Sequence, residues 1–232
     1  MRYRHRRRSR RTNKGTLVLL LLLTAVFLVS CVAGSSPLWI RGVLGVDVAN
    51  YTTEPAERTL SCNGETADRL GDMVQALANG GTELKPFRNT SQAVKHYRDA
   101  ILTDLLRQNY ALYVGNSAEI QKAQQAYPAT FFSVIVPQAD FENAIFRYFG
   151  GTGVHHGNGS VFSYLSRADA YTAPLMTWQD EVALRVLSLE ESANTYRMTF
   201  VLSDDLGEAH TYSAVFVKRD DGGCYFYSLA NA

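Results

Sequence analysis

An α+β fold, with helices packed on one face of a C-terminal antiparallel β-meander, is predicted by three observations. Apolar residues recur at helical spacing between residues 63 and 128. The period then drops to two over the last fifty residues. The connections there are about five residues long, and two of the three carry Asp and Gly, which is hairpin chemistry. Helices first and strands last define an α+β domain rather than an alternating one.

In chain order, Asn63 is expected to cap a helix whose apolar face is Ala67, Leu70, Val74 and Leu77, stopped by Asn79, Gly80 and Gly81. Asn89 with Gln92 three residues later predicts the main helix. Its stripe runs Val94, Tyr97, Ile101, Leu105 and Leu112, flanked by Leu102 and Leu106. Asn116 and Glu119 form a capping pair ahead of a short helix that ends at Pro128. Thr130 to Val136 is a continuous apolar run bounded by Pro137, the pattern of a buried strand. Asp140 is expected to cap the next helix, with Phe141, Ala144, Ile145, Tyr148 and Phe149 on one face and Gly150 and Gly151 as its stop. A short strand is expected around Val161 to Leu165. Val182–Leu189, Thr195–Ser203, Ala209–Lys218 and Cys224–Leu229 complete the meander.

The amino terminus has another character. Seven arginines and Lys14 occupy the first fourteen positions without one acid, and no charge follows until Arg41. A basic stretch, an apolar core from Thr16 and small residues before a cysteine describe an export signal. Leu28, Val29, Ser30 and Cys31 resemble the bacterial lipobox, which implies lipidation of Cys31 and cleavage just before it. The alternative is an uncleaved signal anchor built from the apolar segment 16–40, with Trp39 at its outer interface and the arginines held in the cytoplasm. Both place the remainder of the chain outside the membrane. Residues 1–31 are thus signal or anchor, 32–60 a tether, and 61–232 a single domain of a size that one core can stabilise.

Charge excludes one class of partner. Removing residues 1–31 takes eight of 23 Lys and Arg and none of 22 Asp and Glu, so the outward part carries 15 minus 22, or −7. Such a domain does not bind nucleic acid through phosphate neutralisation. Cys62 and Cys224, an even pair in an oxidising compartment, are expected to form a disulfide.

A helix-rich first half, the strand–helix unit VIVPQADFENAIFRYFGG and the ending GGCYFYSL resemble the extracytoplasmic lipoproteins of unknown function common in Gram-positive bacteria. The resemblance spans roughly residues 90 to 230. It implies a cystatin-like or nuclear-transport-factor-like cone and brings no catalytic residues with it.

No cofactor motif stands. Gly151, Gly153 and Gly157 miss the dinucleotide spacing and no helix is predicted after them. His155 and His156 are the candidates for metal or acid–base work, but adjacent side chains diverge and no second ligand lies at motif spacing, so a solvated loop is the alternative. His96 and His210 read as surface residues. The sequons at Asn50, Asn89 and Asn158 would matter in a eukaryotic secretory pathway and are incidental if the lipobox resemblance holds. Tyr225, Phe226, Tyr227 and the Phe146–Phe149 cluster either fill the core or line a pocket for a peptide or glycan, expected at the open mouth of the sheet. Two functions remain: a non-catalytic domain binding an envelope protein, peptide or glycan, and an envelope enzyme using His155 or His156.

Overall fold

The computed structural model describes residues 55–152, 154–175 and 182–232. The chain divides into two units, Met1–Asn50 and Tyr51–Ala232, and every described residue belongs to the second. The expectations at Cys31, Trp39, Asn50 and the 16–40 segment lie outside the described residues. Among those described, no helix is long and apolar enough to cross a membrane.

The elements are β1 (Arg58–Thr59), α1 (Glu65–Ala78), α2 (Thr90–Gln108), α3 (Tyr110–Tyr113), α4 (Ala118–Ala126), β2 (Val134–Pro137), α5 (Gln138–Phe149), β3 (Ser163–Leu165), β4 (Ala170–Ala173), β5 (Ala183–Glu191), β6 (Thr195–Ser203), β7 (Ala209–Lys218) and β8 (Cys224–Asn231). A five-stranded antiparallel sheet runs β1-β5-β6-β7-β8, and a smaller one runs β2-β4-β3. The meander is as expected. Opposed residues form inward rows such as Val186–Phe200–Tyr212 and Met198–Ala214–Leu229. All but Val186 are buried, and Val186 packs against the same core. α1 packs on β5 and α5 on β8, while α2 lies against both α1 and α5. The fold class is therefore α+β with an antiparallel meander.

Local differences have identifiable causes. Gly64, not Asn63, starts α1. Asn89 Oδ1 accepts from the Gln92 amide as expected, while Gln92 Oε1 reaches back to the Arg88 amide. The helix then breaks at Asn109, so Leu112 leaves the stripe and is 60 % exposed. Ser117 rather than Asn116 caps α4, accepting from the Ile120 amide. The apolar run after Pro128 is extended only from Val134, and its phenylalanines part: Phe132 is buried and Phe131 stands 89 % exposed. Asp140 caps nothing. It accepts from the Tyr113 hydroxyl at 2.6 Å, and α5 instead begins straight after Pro137, whose fixed φ suits a helix entry.

The expected Cys62–Cys224 bridge is not formed, and both are free cysteines. Cys224 points inward, its Sγ 3.8 Å from Met73 Sδ in the second half of α1, whereas Cys62 precedes that helix. Burial raises the Cys224 thiol pKa. In the Tyr51–Ala232 unit, a thiol reagent at neutral pH should therefore label Cys62 at least about tenfold faster than Cys224, measured by mass of the labelled peptides.

The end of the expected tether is folded into the sheet. Arg58 and Thr59 pair with Glu191 and Glu190, and the Glu191 carboxylate takes both the Arg58 guanidinium and, at 2.7 Å, the Lys218 ammonium. These two cations, Arg58 first, hold the Glu191 pKa below its ordinary value of 4.5. A depressed carboxylate stabilises the fold above its unfolded pKa and stops doing so as pH falls through its folded one. Glu191→Gln should accordingly lower the melting temperature at neutral pH, and the gap from the parent should close on acidification below 4.5.

Candidate functional site

The glycine-rich segment after α5 is held on α2 by two neighbouring side chains. Arg98 donates from Nη1 to the Asn158 carbonyl and from Nη2 to that of His155, both at 2.9 Å. Asp99 accepts from the Ser160 amide and hydroxyl at 2.6 Å and from the Val161 and Phe162 amides at 3.2 Å. Asn158 Oδ1 accepts from the Tyr164 amide and starts β3. Gly159 is required by closeness, because a Cβ there would lie 2.0 Å from Asp99 Oδ1. The segment is thus a latched strap rather than a solvated loop.

The latch separates the two histidines. His155 is exposed and contributes only its carbonyl. His156 is turned inward with a 14 % exposed side chain, its Nε2 2.9 Å from Glu142 Oε1 and its Nδ1 2.9 Å from the Tyr171 hydroxyl. An ionised carboxylate only accepts, so Nε2 carries a proton, and in the neutral ring Nδ1 then accepts from Tyr171. The ring stacks on Tyr164 at 5.2 Å and meets Phe141 edge-on. Gln138 donates to Glu142 from one turn earlier on α5, and its Oε1 accepts from the Tyr164 hydroxyl. Burial pushes the Tyr171 phenol up to about 12, while burial and then Asp169 raise Tyr164.

Carboxylate, imidazole and hydroxyl stand in the order of an activated nucleophile. The order leads nowhere accessible, since Tyr171 is fully buried and its oxygen cannot meet a substrate. The array orients the strap and closes the core above Phe141. Among the described residues, no three His, Cys, Asp or Glu side chains converge as metal ligands.

A second feature lies along α4. A cleft of about 720 Å³ is lined by Val114, Gly115, Asn116, Ile120, Gln121, Gln124, Gln125, Pro128, Phe131, Phe132, Ser133 and Leu175. Two of these, Ile120 and Phe132, belong to the small core that also holds Ala123, Ile135 and Ala170. Gly115 donates to the Ser133 carbonyl, which ties the end of α3 to the start of β2 and shapes one wall. Gln124 spends its amide on the Tyr127 and Pro128 carbonyls and so fixes the turn after α4. No lining residue is ionisable. The surface offered is apolar with a carboxamide rim, suited to an uncharged partner.

The cleft is not at the mouth of the large sheet, where a ligand was expected. The aromatics singled out there serve other ends: Phe149 and Phe226 are core, and the Phe146 and Tyr225 rings both meet the Arg219 guanidinium. Sequence reasoning missed Glu142, Tyr164, Tyr171 and the cleft. Two signals were present: the i,i+4 spacing of Gln138 and Glu142, and a stretch from Gln108 to Ala139 whose only charges are Glu119 and Lys122. Compared with protein-family models, characterised proteins and solved structures, the chain matches none.

Proposed function

We propose that this chain is a membrane-anchored extracytoplasmic protein whose folded unit acts without catalysis, by binding an uncharged, apolar partner in the cleft beside α4. The anchor is the lipid on Cys31 or, in its place, the uncleaved 16–40 segment. The observation that carries the binding reading is the cleft itself, twelve lining residues without one charge in an outward part of net charge −7. The antiparallel meander with α1 and α5 packed on it supports grouping the unit with the cystatin-like cones. A second reading, an envelope enzyme, draws on Glu142, His156 and Tyr171, and the full burial of Tyr171 weighs against it.

The Tyr51–Ala232 unit has its own core and permits a direct test with the neutral dye Nile red. One saturable site per chain is expected, lost in Phe131→Asp and kept in His156→Gln. Loss in His156→Gln with Phe131→Asp unaffected would move the site to the strap and reverse the two readings.

A further inference from the structure

We infer that the partner covering the cleft is the lipid bilayer itself, and that Leu112, Phe131 and Leu175 are the side chains that enter it. This rests on the anchored, cleft-binding reading above. The three are 60, 89 and 61 % exposed. Phe131 and Leu175 both line the cleft. Leu112 stands two residues before Val114, a lining residue, so its Cα lies within about 7 Å of it. A single exposed leucine such as Leu206 needs no explanation, but Phe131 and Leu175 on one apolar cleft, with Leu112 close by in the chain, make a patch with a use.

Charge selects the partner. A unit of net charge −7 is repelled by an anionic membrane surface over most of its area. None of the twelve residues lining the cleft carries a charge, so this part of the surface can enter an apolar layer without desolvating an ion. The tether supplies proximity. The 24 peptide links from Cys31 to Pro55 span at most about 80 Å, which keeps the unit permanently beside a bilayer at high effective concentration. Weak insertion then suffices, as a lone apolar anchor binds only marginally by itself but adds to a second one. A second copy of the chain would need about 800 Å² from each partner, more than three protruding side chains provide.

The full-length chain in a lipid nanodisc made with brominated-chain phosphatidylcholine tests this. Phe131→Trp is introduced with Trp39→Phe and Trp178→Phe, which removes both native tryptophans; Asp220→Trp in the same background is the control, at an exposed turn between β7 and β8. The expected result is blue-shifted emission at position 131 that is quenched by the brominated chains, with emission at position 220 unquenched and water-like. A water-like, unquenched signal at 131 overturns the inference and leaves the dye site standing. A blue-shifted but unquenched signal also overturns it, because a peptide or a second copy would then fill the cleft. A chain that leaves the disc would overturn the anchored reading, and the lipid inference with it.

Discussion

Truncating Phe87 to alanine is expected to cost about 3–5 kcal/mol of stability in the Tyr51–Ala232 unit, the range for deleting a buried aromatic ring without collapse of the space it leaves. Phe87 is 2 % exposed and sets its ring edge against Tyr97 of α2, Phe149 of α5 and Phe226 of β8, at centroid distances of 5.8, 5.6 and 6.1 Å. It therefore joins two helices to the edge strand of the meander. Its backbone exchanges both hydrogen bonds with Leu229, so the residue also covers part of the β8 edge. That backbone pairing survives substitution, whereas the packing does not. Urea unfolding followed by circular dichroism measures the loss. Phe87→Leu, which keeps most of the volume, should lose less than half as much, and equal losses would show that the ring's contacts are not what joins these elements.

The second large effect is expected at the strap. Asp99→Ala removes the acceptor of four hydrogen bonds, three of them from consecutive backbone amides. Several of those donors are partly exposed and regain water, so about 2 kcal/mol is the expected cost rather than the full sum. Gly159→Ala reaches the same latch from the other side. The new methyl would have to displace the Asp99 carboxylate, breaking the bonds that Asp99→Ala deletes. The two substitutions act on one interaction, and the double variant should cost markedly less than the sum of the single ones. Additive losses would mean that Gly159 matters for some reason other than its closeness to Asp99. In both variants His156 should become more open to solvent, with faster exchange of the Gly157 amide that donates to the Tyr171 oxygen.

Much of the fold was legible because local rules and tertiary packing agree in it. The strands at Thr195–Ser203 and Ala209–Lys218 begin and end where their alternation and turn residues place them. The Phe141–Phe149 face and the left-handed Gly150 that ends α5 follow from spacing and backbone freedom alone. Failures came where a long-range partner decided the matter. Asp140 looks like a cap until Tyr113 claims its carboxylate. Cys62 and Cys224 look like a pair, whereas in the structure both are free and the Cys224 thiol meets Met73 of α1. Leu112 fits the α2 stripe only if the helix continues, and the break at Asn109 turns it outward. β4 carried no turn signal strong enough to mark it, and its place between β2 and β3 depends on pairing that spans nearly forty residues.

The candidate site shows the same division. His156 was visible as a residue type, but what it does depends on Glu142, Tyr164 and Tyr171, which reach it from α5 and two strands of the small sheet. A bare sequence places two histidines side by side and gives no reason to tell them apart. The strap's attachment to Arg98 and Asp99 turns one out and one in. The cleft was written in the sequence as a lack of charge, a signal without position until α4 and the segment before β2 are packed together. Phe131 is the clearest instance: in an apolar run it reads as core, and in the structure it stands almost fully exposed.

The measurement that bears most directly on the binding account is a solution NMR titration of the Tyr51–Ala232 unit with dodecylphosphocholine, a detergent of zero net charge carrying one acyl chain. The account predicts amide shifts concentrated at Gly115, Gln121, Gln125, Phe131 and Leu175, with His156 and its neighbours unmoved. Shifts centred on His156, Glu142 and Tyr164, or spread evenly over the large sheet, would contradict it.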